Sequence, residues 1–109
     1  VRELVATRAG VRDGAVRMDA ALYSAMLGER EKALQYRKAG LKLSAENPQA
    51  WHRSALALAQ LHEDGQALAD LQRALRAGLS ASEISNNPAW QRFSAYPEYR
   101  RMVRQPQSK

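Results

Sequence analysis

Few residues of this 109-residue chain have the type and spacing that covalent chemistry needs. The two histidines, His52 and His62, stand ten residues apart, whereas a metal-binding pair on one helix wants a spacing of three or four. Both read as exposed helix histidines. Carboxylates come as Glu29 with Glu31 and as Glu63 with Asp64, each beside a turn. There the positive end of a following helix favours them by a few tenths to about 1 kcal/mol. No serine stands in a Gly-x-Ser-x-Gly elbow and no phosphate-binding loop is present. Cysteine is absent, which excludes thiol catalysis, Cys-type zinc sites and disulfides. The expectation is a protein with no catalytic, cofactor-binding or metal residues, and not an enzyme.

What remains is electrostatic and apolar. The net charge is +6, and residues 88–109 hold Arg92, Arg100, Arg101, Arg104 and Lys109 against Glu98 alone. Arg92, Arg100, Arg101 and Arg104 form a candidate basic patch, which could meet nucleic acid or an anionic membrane. No aromatic stacking platform or glycine-rich loop accompanies the charge. The plainer reading is a solvated helix end, and nucleic acid is the less favoured partner.

The elements that would carry these residues are helical. Hydrophobic residues make up 45% of the chain but aromatics only 6%, so a core must be built from Ala and Leu, both strong helix formers. No apolar run reaches the length of a membrane span, and the first residues do not resemble a secretory signal. The start at Val1 predicts a piece of a longer protein. Residues 15–27 place Met18, Leu22 and Met26 at helical spacing and stop at Gly28. A second run covers 29–43, and Asn47-Pro48 opens a third to about Leu61. After the turn His62-Glu63-Asp64-Gly65 a fourth runs from Gln66 to about Ala77, closed by Gly78. Ser80 to Glu83 reads as a capping box. Asn87-Pro88 and Tyr96-Pro97 open two last helices.

Self-similarity at a fixed period says more. Ala33-Leu34 recurs as Ala67-Leu68, and Gly40-Leu41 recurs at the same interval as Ala74-Leu75. Ala6 precedes Gly40 by that interval again. A column of small residues suits helices that cross closely, because only Gly or Ala leaves room for the neighbouring backbone.

These residues resemble the tetratricopeptide repeat (TPR), a helix-turn-helix unit of about 34 residues. The resemblance spans roughly residues 14–79. Its best-matched stretch is Gly28-Glu29-Arg30-Glu31-Lys32-Ala33-Leu34, continuing to Asn47-Pro48-Gln49-Ala50-Trp51. Departures are Arg17 and Ser24 at usual aromatic sites, Arg37 at another, Ser54-Ala55 for a Leu-Gly pair, and His62-Glu63-Asp64 for the Gly turn. The tail Asn87-Pro88-Ala89-Trp90, Phe93, Tyr96-Pro97-Glu98-Tyr99 and Met102 is similar to the ending of TPR regions in many bacterial multidomain regulators. It would cover the last repeat's open edge.

The resemblance implies an all-α fold of antiparallel helix-turn-helix repeats, a right-handed superhelix with a C-terminal capping helix pair. Residues 1–13 would be the second helix of a truncated repeat, 14–47 and 48–79 two repeats, and 80–109 the cap and basic tail. It also implies a concave groove lined by Met18, Leu22, Ala25 and Met26 beside Gln49, His52, Leu56, Ala59 and Gln60. Such a face suits an amphipathic partner protein or peptide, or a homodimer. The family's carboxylate clamp is not expected, because Met18 and Leu22 stand where its Lys and Asn would be. A cover of missing repeats over the groove is equally compatible with the residues. Three roles stay open: an interaction scaffold, the C-terminal regulatory part of a transcription regulator, cyclase or Ser/Thr kinase, and weak nucleic-acid binding by the tail.

Overall fold

The computed structural model describes residue 14 and residues 16–104. The expectations for residues 1–13 and for the end of the basic tail, 105–109, lie outside them. The described chain is all-α, with no strand among the described residues. In chain order it forms α1 (residues 16–26), α2 (Arg30–Leu43), α3 (Pro48–Gln60), α4 (Asp64–Ala77), α5 (Ala81–Ser85), a 3-10 helix (Pro88–Ala95) and α6 (Pro97–Arg104). None of the helices among the described residues is long and apolar enough to cross a membrane.

Local signals set most of these boundaries. Asn47 and Asn87 each accept a hydrogen bond from the backbone N–H two residues on, with Pro in the first helical position. Ser80 and Glu83 form a reciprocal capping box. Gly28 closes α1 with φ 79°, and the N–H of Glu29 reaches back to the carbonyl of Ser24 at 2.8 Å. Gly78 closes α4 in the same way, with Leu79 donating to Ala74 at 2.9 Å. Between them, one period after Gly28, His62 ends α3 with φ 61° and Glu63 donates to Leu58 at 2.8 Å. The same left-handed turn is thus made three times, once by a residue with a Cβ.

The period is visible in the helices themselves: α4 begins and ends one full period after α2. Short turns fold α1 onto α2 and α3 onto α4, which makes each pair antiparallel. Gly40 lies against Met18 of α1; a Cβ there would collide with the Met18 thioether and come within 3.2 Å of the Gly14 carbonyl oxygen. Ala74, the matching residue in α4, is fully buried.

The core is uneven. Ala55 and Leu58 of α3 meet Ala67, Leu71 and Ala74 of α4, and Leu79, Ile84, Trp90, Phe93, Tyr99 and Met102 close the C-terminal end of the same cluster. Each of the larger side chains contributes about 1.5–3 kcal/mol by leaving water. The α1–α2 hairpin adds only a small group, Ala25 and Ala33 with Ala57 and the flanking Leu22 and Leu61. The 3-10 run is long for its kind. Three residues per turn put Trp90, Phe93 and Tyr96 in one column, and their rings meet at 4.9 Å and 5.4 Å between centroids. Helical periodicity in the sequence does not distinguish that pitch from an α-helix.

Candidate functional site

The ladder between α1 and α3 is where the expected groove residues stand, and the structure splits them. Asp19 pairs with Arg53 at 3.0 Å and ties the two helices side by side. Met26 is 63% exposed, Gln60 is exposed, and Leu22 and Leu56 are half-buried. In the register of the repeat, Leu22 matches Leu56 and Met26 matches Gln60. Gln49 is exposed and its amide donates to Glu83 at 3.1 Å.

Met18, Ala25, Ala59 and His52 are not groove-lining. Met18 is sealed against Gly40, and Ala25 lies under the small α1–α2 cluster. Ala59 belongs to the main core. His52, expected as an exposed helix histidine, is buried under the C-terminal helices. Trp90 donates its indole Nε1–H to His52 Nε2 at 3.0 Å, and the rings stack at 6.0 Å. An accepting Nε2 carries no proton, so the neutral ring has its hydrogen on Nδ1. Desolvation holds the His52 pKa below its usual 6.5; Glu83 pulls it back up and Arg53 pushes it further down.

Two polar clusters lock the helices together. Arg37 of α2 donates from Nε to Ser54 Oγ at 2.6 Å and from Nη2 to Asp70 Oδ2 at 2.9 Å. Ser54 in turn donates to Asp70 Oδ2 at 2.5 Å. The group therefore joins α2, α3 and α4 around a carboxylate whose side chain is only 6% exposed. The second cluster anchors the 3-10 helix. Arg92 grips both oxygens of Asp64 at 2.8 Å and the Ala59 carbonyl at 2.9 Å, while the Tyr96 hydroxyl donates to Asp64 at 2.6 Å. The hydrogen bond from Arg92 is the largest influence holding the Asp64 carboxyl down to about 2.

That geometry redistributes the candidate basic patch. Arg92 is committed to Asp64, and Arg100 donates to the Ser94 carbonyl at 2.7 Å. Arg101 and Arg104 stay exposed on α6. An open hollow of about 510 Å³ lies elsewhere, lined by Ala45, Glu46, Trp51, Arg73, Arg76 and Ala77. Its tryptophan is pinned by an Nε1–H bond to the Ala45 carbonyl at 2.6 Å, with the Arg73 guanidinium 4.9 Å over the ring. Among the described residues no group of three or more His, Asp or Glu could hold a metal ion.

No protein-family model, curated protein or solved structure matches this chain.

The buried polar residues were the ones sequence reasoning missed. Asp70 interrupts the otherwise apolar row Ala67, Leu71, Ala74 of α4, and a carboxylate on a core-facing row demands a cation. Arg37 is that cation, 33 residues earlier. His52 left a fainter signal: it occupies the position of Met18, one period on.

Proposed function

We propose that this chain is a TPR-like helical-repeat module that binds a partner protein or peptide through the α1–α3 face, as a non-catalytic scaffold. The observation that carries the reading is the register of that face. Helices one period apart present Asp19 beside Arg53, Leu22 with Leu56 and Met26 with Gln60. A row of repeated positions, apolar at Leu22, Met26 and Leu56, ending on Gln60 and edged by charge, suits an amphipathic segment read at several points at once. Apolar contact gains about 25 cal/mol per Å² before ordering costs are subtracted. Met26 is flexible enough to adapt to the partner's side chains. The right-handed superhelix of the family and a cap at residues 80–109 belong to the same proposal.

A photocrosslinking amino acid at Met26 or Gln60 tests it. Both sites should capture a partner in extracts of the source cells, and the same probe at Lys38 or Arg76, on the second helices of the hairpins, should capture far less. Equal capture from all four positions would sink the reading.

A further inference from the structure

The hollow beside Trp51 gathers charge that the packing of the fold leaves unpaired. The turn from α2 to α3, the first turn of α3 and the last turns of α4 border about 510 Å³ there, between Ala45, Glu46, Trp51, Arg73, Arg76 and Ala77. Small-molecule sites commonly measure roughly 300–1,000 Å³. The Trp51 Nε1–H bond to the Ala45 carbonyl fixes one wall, and the Arg73 guanidinium lies 4.9 Å over the ring. Stacking holds that guanidinium in place and leaves its N–H edges to donate to an anion.

The helix end accounts for only one of the two cations. Arg76 stands in the last turn of α4, where the terminal carbonyls favour positive charge. Arg73 stands about a turn earlier. Among the described residues neither has a carboxylate at ion-pair distance, although Glu46 lines the same hollow. The repeat does not require them either. One period earlier the positions of Trp51, Arg73 and Arg76 hold Arg17, Ala39 and Lys42, so a hairpin of this kind packs without the indole and without the first guanidinium.

We propose that this hollow binds a small monocarboxylate with an apolar body. The carboxylate takes the N–H edges of Arg73 and Arg76, whose forks match its two oxygens. The body lies against Ala45, Ala77 and the rim of Trp51. Glu46 sets the charge of the ligand: two guanidiniums and one carboxylate leave a single positive charge on the walls, which one negative charge neutralises. A more highly charged ligand would meet repulsion from Glu46. Nucleic acid fits poorly, because one face of the indole carries Arg73 and the ring also packs against the main core, so no open platform is left for a base. The hollow is distinct from the row of Leu22, Met26, Leu56 and Gln60 and does not depend on its function.

The test is NMR on the full chain, following the indole N–H signals of Trp51 and Trp90, with Trp51→Phe to assign them. Phenylacetate at low millimolar concentration should shift the Trp51 signal and leave that of the buried Trp90 in place. Acetate, which lacks the ring, and phenyl phosphate, which carries extra charge, should each bind several-fold more weakly at equal ionic strength. Arg73→Ala should lose about tenfold in affinity for phenylacetate. Glu46→Gln should bind phenyl phosphate several-fold more tightly, and Arg104→Ala on α6 should change nothing. A Trp51 signal that no probe moves means that the hollow is filled by another part of the chain or holds no ligand, and overturns the proposal. Undiminished binding by Arg73→Ala overturns it as well. So does phenyl phosphate binding more tightly than phenylacetate to the unaltered chain, which would assign the hollow to phosphate esters.

Discussion

The Trp90 indole donates its N–H to Nε2 of His52 at 3.0 Å, across a sequence distance of 38 residues. This bond joins the middle of α3 to the 3-10 helix and needs an unprotonated imidazole nitrogen. A proton on Nε2 would set two N–H groups against each other in a buried site. Stability should therefore depend on pH through this ring. The unfolded chain's His52 takes up a proton near 6.5, while the folded ring, its pKa lowered, does not. Below about 6.5 the unfolded state binds the extra proton, so stability falls as pH falls, and the loss levels off only below the folded pKa. Asp64, held down to about 2, gives up its own contribution later, between its usual 3.8 and that value. Thermal melts should decline from about pH 8 to about pH 5, and His52→Gln should flatten that slope. An unchanged slope in the variant would refute the assignment.

Arg37 and Asp70 should be strongly non-additive. Arg37→Ala leaves a buried carboxylate with Ser54 alone and should cost about 3 kcal/mol in urea unfolding. The triple change Arg37→Met, Ser54→Ala and Asp70→Leu removes the charges together and should cost much less than the single one. A triple variant as unstable as the sum of its parts would contradict this account.

Gly40 and Gly65 should respond to alanine with opposite signs. At Gly40 the new Cβ meets the Met18 thioether, and overpacking of about 1–3 kcal/mol outweighs a helix-propensity gain of about 1 kcal/mol. Pairing Gly40→Ala with Met18→Ala should remove the clash. At Gly65 nothing lies within 4 Å of the added Cβ, so Gly65→Ala should stabilise α4 by about 0.5–1 kcal/mol. Chemical denaturation of the variants reads all three effects.

His62 makes the left-handed turn that Gly28 and Gly78 make elsewhere. A residue with a Cβ pays about 1 kcal/mol there, and the side chain is exposed. His62→Gly should raise the melting temperature by a few degrees. A lower value would mean that the imidazole contributes more than the backbone conformation costs.

The segment ends were legible because local chemistry sets them. Asn47, Asn87, the Ser80–Glu83 box, Gly28 and Gly78 each act within a few residues of themselves. The start of α4 was the looser case, at Asp64 and not Gln66. Burial was less legible, because a helix's own periodicity gives its apolar side but not how far its neighbours wrap round it. Met18 and His52 were assigned to an open face, yet Gly40 and Trp90 close over them from distant parts of the chain. Arg92 looked like free charge for the same reason: its partner, Asp64, is 28 residues distant.

The Arg37–Ser54–Asp70 group also governs how the molecule melts. A linear repeat array behaves like a one-dimensional lattice, in which each unit has its own stability and a coupling to its neighbour. Here the coupling passes through a charge: α2 cannot detach without stranding Asp70 inside α3–α4. The α1–α2 hairpin, with only a small apolar cluster of its own, gains most from that link. A link of that kind predicts that partial unfolding between α2 and α3 is costly and that the two hairpins open together.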